Sequence, residues 1–165
     1  MMNVKLRVHW FLVAVFIFTV ESCQSTTRQK DEDYYPVTKV VDGDTFWIDD
    51  GTEKGKKIRL IGVDAPETRR SARKEIGYYG VESKNYLASL LLNKAVRLEY
   101  DVDRQDRYGR TLAYVYLEDG TFVNEALLRQ GYAMVLTVPP NVRHAETFVK
   151  YQAEARKKGR GLWKK

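Results

Sequence analysis

Five charged residues carry the chemistry this chain could do: Asp44, Asp64, Glu67, Arg59 and Arg110. They fall in three segments where polar groups interrupt apolar neighbours: Asp42-Gly43-Asp44-Thr45, Arg59-Leu60-Ile61-Gly62-Val63-Asp64-Ala65-Pro66-Glu67-Thr68 and Asp106-Arg107-Tyr108-Gly109-Arg110. Asp44 and Asp64 each stand where a strand meets a turn, so both carboxylates could point at one cation. Pro66 fixes its own φ and pushes Ala65 toward extended backbone, which would aim the Ala65 carbonyl and the Glu67 side chain in set directions. Arg59 lies in a run of Ile and Leu, and Arg110 follows a glycine at the start of a strand. Cleaving a phosphodiester requires an activated water, a cation on a nonbridging oxygen and positive charge on the developing phosphorane. Two Asp, one Glu and two Arg supply those roles, and the guanidinium fork matches a phosphate with paired hydrogen bonds.

Taken one at a time, each segment also has a structural reading. Asp-Gly is a common turn, and Arg59 could be a strand residue whose head snorkels to solvent. Ala65-Pro66-Glu67 could break a strand or start a helix. Tyr108-Gly109-Arg110 could be an ordinary entry into a strand.

The elements that must position these residues are strands first and helices later. Val37–Val41 is β-branched and leads to the turn signal Asp42-Gly43. Thr45–Ile48 continues as a strand, and Asp49-Asp50-Gly51 turns it back. Lys56–Val63 reads as a third strand, interrupted only by Gly62. Val96, Leu98 and Tyr100 alternate with Arg97 and Glu99, the period of a half-buried strand. Thr111–Leu117 is the fifth strand. Tyr86, Leu87, Leu90 and Leu91 recur at helical spacing within 81–92. Val123, Ala126 and Leu127 do so within 122–130, with Gly131 at the C-terminal cap. Asn141 is placed to cap a last helix with Ala145, Phe148 and Val149 on one side and basic residues at its end. The expected fold is α+β, a small closed barrel with three helices packed on it.

The bulk of the chain narrows the chemistry further. It has 165 residues, room for one domain after any targeting segment. The net charge is +6, which favours polyanionic partners. A single cysteine, Cys23, excludes an intrachain disulfide, and with only two histidines there is no Cys/His cluster for zinc or iron. Any metal would be a hard cation held by carboxylates and carbonyls.

The N-terminus reads as an export signal. Lys5 and Arg7 precede the apolar run Trp10–Val20, which is followed at once by Glu21, Ser22 and Cys23. The run is short for a transmembrane span. Val20-Glu21-Ser22-Cys23 resembles a lipobox, with Glu21 departing from the usual small residue; ordinary cleavage nearby is the alternative. Residues 1–22 are therefore expected to be a secretory signal. Cys23 is the expected lipidation site, residues 23–33 a tether, and residues 34–165 the folded domain.

Taken together and in order, the segments resemble the thermonuclease, or staphylococcal nuclease, family. The match runs through Val40-Val41-Asp42-Gly43-Asp44-Thr45, Arg59 to Thr68, Tyr78-Tyr79-Gly80, Asp106 to Tyr114, Val123 to Gly131 and Gly161-Leu162-Trp163. The resemblance implies a five-stranded OB-type barrel with three helices, and Ca²⁺-dependent hydrolysis of DNA and RNA. It implies that Asp44, Asp64 and the Ala65 carbonyl bind the Ca²⁺ and that Glu67 positions or deprotonates the attacking water. Arg59 and Arg110 would bind the phosphate and stabilise the transition state, and Arg107 and Tyr108 would contact a terminal phosphate. Two positions depart from the family's prototype. Ala65 stands where it has Thr, and its Tyr-rich substrate wall is replaced by Leu136-Thr137-Val138-Pro139-Pro140, which bears on base stacking.

The expected protein is thus a monomeric exported nuclease, lipid-anchored at the cell envelope through Cys23 or secreted. A different class of function is a non-catalytic single-strand-binding barrel tethered to the envelope. A third is an anchored structural protein with a basic surface. Retention of Asp44, Asp64, Glu67, Arg59 and Arg110 in one chain favours the enzyme.

Overall fold

Alternation along short strands decides which residues enter the core and which are left for the site. The structure, a computed structural model, describes residues 33–68 and 77–164. The expected signal segment, Cys23 and the expected tether up to residue 32 lie outside the described residues. Tyr34–Asp42 (β1) and Thr45–Ile48 (β2) form an antiparallel hairpin closed by Gly43 and Asp44. β2 pairs in turn with Lys56–Leu60 (β3). Phe46, Ile48, Ile58 and Leu60 point inward and are almost fully buried. The opposite parity, Thr45 and Trp47 across from Arg59 and Lys57, forms the other face of this hairpin.

Beyond Leu60 the chain leaves the barrel, which corrects the expectation of one strand from Lys56 to Val63. Gly62 has φ 78° and lies under the Phe148 ring, where a Cβ would come within 2.5 Å of a ring carbon. Val63–Asp64 (β4) then pairs with Met134–Val135 (β7) in a separate two-stranded sheet. The departure aims Asp64 back toward β3.

Ala95–Glu99 (β5) and Thr111–Leu117 (β6) complete the barrel. β5 joins β1 antiparallel, and β6 joins β3 in parallel, with Arg59 opposite Leu112, so the order β1-β2-β3-β6-β5 closes on itself. This is the expected five-stranded OB-type barrel.

Three helices seal the core. Gly80–Leu91 (α1) buries Leu87 and Leu91, and Val123–Arg129 (α2) buries Val123, Leu127 and Leu128. Asn124 in α2 is fully buried; its amide donates to the Ile61 carbonyl at 2.8 Å and its carbonyl oxygen accepts from the Val115 N–H at 3.1 Å. That pair of bonds fixes where the chain exits the barrel toward Asp64. Gly131, with φ 74°, follows α2 as expected. The last helix, Ala145–Lys157 (α3), starts later than expected and buries Phe148 and Ala155, while Val149 is exposed. Asn141 does not cap it. Its side chain instead bonds the Asp103 N–H at 2.8 Å and the Asp103 carbonyl at 2.9 Å. An Asn that satisfies backbone groups serves a cap or a distant loop equally well.

Candidate nucleic-acid cleavage site

The floor of the site is assembled from three places in the chain. Asp44 comes from the β1–β2 turn, Arg59 from β3 and Asp64 from β4. Arg59 is buried, and one terminal nitrogen, Nη1, donates to the Leu60 carbonyl at 2.9 Å and the Val63 carbonyl at 2.7 Å. The other, Nη2, lies 3.1 Å from Asp44 Oδ2 and 2.9 Å from Asp64 Oδ1. Asp44 is held from two further sides: its Oδ2 accepts the Ala65 N–H at 2.9 Å and its Oδ1 accepts the Thr45 hydroxyl at 2.9 Å. A charge buried in a run of Ile and Leu is thus explained by the two acids and two carbonyls around it.

Gly43 is required here for space rather than for φ. A Cβ at Gly43 would come 2.6 Å from the Ala65 Cβ and 2.9 Å from the Ser83 Cβ in α1. The turn carrying Asp44 is therefore pressed against the Ala65 segment and against α1. Glu67 is fixed through its backbone, since its carbonyl accepts the Gly77 N–H at 2.9 Å and Gly80 at the start of α1 packs against that same carbonyl.

The opposite wall is a loop with one buckle. The carboxylate of Asp106 accepts the Tyr108 N–H at 2.9 Å, the Arg110 N–H at 3.0 Å and Arg110 Nε at 2.6 Å. Burial pushes the Asp106 carboxyl up, but these hydrogen bonds outweigh it and hold the group below the usual carboxylate range. Tyr108 is exposed, and the guanidiniums of Arg107 and Arg110 lie 4.9 Å and 5.6 Å from its ring centre.

All eight of the domain's expected site residues, Asp44, Arg59, Asp64, Ala65, Glu67, Arg107, Tyr108 and Arg110, line one cleft of about 910 Å³. The same cleft holds residues the sequence did not single out, among them Asp42, Trp47, Lys54, Lys57 and Gln105. Strand parity carried the signal for Trp47 and Lys57, which share the face of Thr45 and Arg59. For Asp42 the signal was masked by its role as a turn residue, where it accepts the Gly43 N–H at 2.9 Å. Burial, with Asp44 and Glu67 nearby, raises the Asp42 carboxyl above its ordinary value. Of the altered segment 136–140, Leu136 alone lines the main cleft, so that part of the wall is aliphatic.

The donor set suits a hard divalent cation. Among the described residues no group of three His, Cys, Asp or Glu side chains is placed to hold a metal. The side-chain ligands on the floor are then two carboxylates, Asp44 and Asp64. A shell of carboxylate, carbonyl and water oxygens matches Ca²⁺ or Mg²⁺ and not a thiolate- or imidazole-loving metal.

The sequence is similar to those of known proteins. Residues 57–165 match the family described as staphylococcal nuclease homologue. The chain is 41% identical over 143 residues to the thermonuclease of Staphylococcus intermedius, covering 86% of this chain and 82% of that one. It is 41% identical over 134 residues to the thermonuclease of Staphylococcus hyicus, covering 81% and 77%. It is 37% identical over 127 residues to an uncharacterized endonuclease of Escherichia coli O157:H7, covering 77% and 74%. On that match and these identities, the chain belongs to the staphylococcal nuclease family.

Proposed function

We propose that this protein is an exported, Ca²⁺-dependent nuclease that hydrolyses phosphodiester bonds of DNA and RNA. The observation that carries the reading is Arg59 bridging Asp44 and Asp64 on the floor of a cleft whose walls hold Glu67 and Arg110. Asp44, Asp64 and the Ala65 carbonyl would hold the cation, which when bound supplies positive charge to a nonbridging phosphate oxygen. Arg59 and Arg110 grip the phosphate from floor and wall and stabilise the charge that develops on it. Glu67 accepts a proton from the attacking water, and the Gly77 N–H, which donates to its carbonyl, anchors its backbone. Arg107 and Tyr108 at the mouth meet the phosphate and base beyond the cut. The related thermonucleases and endonuclease support the reaction class.

Export and anchoring rest on the leader and Cys23. A Cys23→Ala variant should lose incorporated radiolabelled palmitate and leave the membrane fraction; an unchanged distribution would remove the anchor from the reading. The reaction itself is tested with single-stranded DNA and RNA in Ca²⁺, in EGTA and with Glu67→Gln. Cleavage should need Ca²⁺ and fall about 10³-fold in the variant, while binding persists. Binding without cleavage by the unaltered protein under every metal condition would leave a tethered single-strand-binding module instead.

A further inference from the structure

A second basic groove opens beside the catalytic cleft. It has a volume of about 400 Å³ and is lined by Lys56, Tyr100, Arg104, Gln105 and Thr111. Lys56, Gln105 and Thr111 line the catalytic cleft as well, so the two are continuous. At the far end the Arg104 guanidinium lies 4.9 Å from the centre of the Tyr100 ring. Tyr100 is half-buried and packs against the core, which makes it a fixed backing. Arg104 is exposed, yet its backbone is pinned to β6, because its carbonyl accepts the Leu112 N–H at 2.9 Å and Gln105 bridges Thr111. Lys56 sits between the two grooves, paired with Asp50 at 3.1 Å and still 43% exposed.

Neither the acids nor the arginines assigned to catalysis account for this group. A guanidinium set over an aromatic ring offers a planar cation on which a base can stack, and bases stack on such planes without regard to sequence. A lysine beside the plane supplies a point charge for the adjoining phosphate. Lys56 opens β3 and Arg59 lies near its end, on the opposite parity, yet both line the catalytic cleft, so a single strand lying in that cleft passes both.

We propose that Tyr100, Arg104 and Lys56 form a second nucleotide subsite, which stacks one base of a single strand on the Arg104–Tyr100 pair and meets its phosphate with Lys56 while a phosphate further along the strand lies on Arg59. The subsite rests on the nuclease reading for its substrate but is read out by binding. It makes the enzyme favour substrates long enough to reach both grooves.

The test uses Arg104→Gln and Tyr100→Leu, with circular dichroism confirming the fold of each. Single-stranded oligonucleotides carrying 2-aminopurine at successive positions are titrated in Ca²⁺ with Glu67→Gln as background, so that binding is measured without cutting. One position should be quenched by stacking, and both substitutions should abolish that quenching and weaken binding about tenfold. Lys56→Gln should flatten the salt dependence of log K by about 0.7. In the cleaving protein, Arg104→Gln should raise KM about tenfold for a long strand and leave a dinucleotide unchanged. Quenching that survives both substitutions, or equal KM increases for long and short substrates, overturns the subsite. If the unaltered protein cuts nothing, the nuclease reading fails, and the quenching pattern still decides the subsite.

Discussion

The floor of the cleft and its outer wall hold their arginines in opposite ways. Arg59 is tied to three separate pieces of chain through two carbonyls and two acids, and Asp44 beneath it is tied to two more groups. Arg110 belongs to a single short loop, and one carboxylate, Asp106, gathers the loop's N–H groups and the guanidinium together. The floor is over-determined by the barrel, so disturbing it disturbs the fold. The wall is organised locally, so disturbing it should affect catalysis far more than stability.

The largest effect should come from removing the shared cation of the floor. Arg59→Ala leaves Asp44 and Asp64 without their common partner, one of them buried, and should lower stability by about 2–4 kcal/mol in urea denaturation. The deficit should shrink when Ca²⁺ is added and return in EGTA; an equal deficit in both would separate the acids from the cation. On the wall, Asp106→Asn should reduce kcat about 10–100-fold through a misplaced Arg110, with a stability loss of no more than about 1–2 kcal/mol. A collapse in melting temperature instead would show that the wall is as integral as the floor.

Two glycines sharpen the contrast at smaller magnitude. Gly43→Ala forces a Cβ against Ala65 and Ser83 and should cost about 1–3 kcal/mol, with weaker Ca²⁺ affinity by calorimetry. Gly109→Ala meets nothing within 4 Å but must adopt φ 75°, which costs about 1 kcal/mol and leaves Ca²⁺ affinity alone.

Acid provides the mildest probe. Because the Asp106 carboxyl is depressed, its contribution is complete above its unfolded value, about 3.9, and is lost as the pH falls through its lower folded value. The amides of Tyr108 and Arg110 should stay protected through the ordinary carboxylate range and open in hydrogen exchange only as the pH falls through the depressed folded value of Asp106. Asp106→Asn should remove that pH step.

What could be read in the chain before folding follows the same division. The strands of the barrel, the first two helices and the eight cleft residues were legible because alternation, turn residues and motif order are local signals. Two elements were not. The strand from Lys56 breaks at Gly62 because Phe148 occupies the space above it and because Met134–Val135, far along the chain, offers Val63–Asp64 a partner. Asn141 looked like a helix cap because its side chain satisfies backbone groups, but the groups it satisfies belong to Asp103. Asp42, Trp47 and Lys57 were missed for a related reason. A turn residue and two outward strand residues become a site only when a second wall faces them.

The parallel seam between β3 and β6 has a consequence for how activity appears in time. Every other neighbouring pair in the barrel is antiparallel, whereas this seam joins Arg59 to the strand that begins just after Arg110. Until the seam zips, floor and wall are two unrelated surfaces, because the strands it joins are far apart in the chain. Such long-range pairing is slow relative to helix formation. Activity should therefore return on refolding in a single late phase, after the helical signal has recovered, and a partly folded chain is not a partly active nuclease.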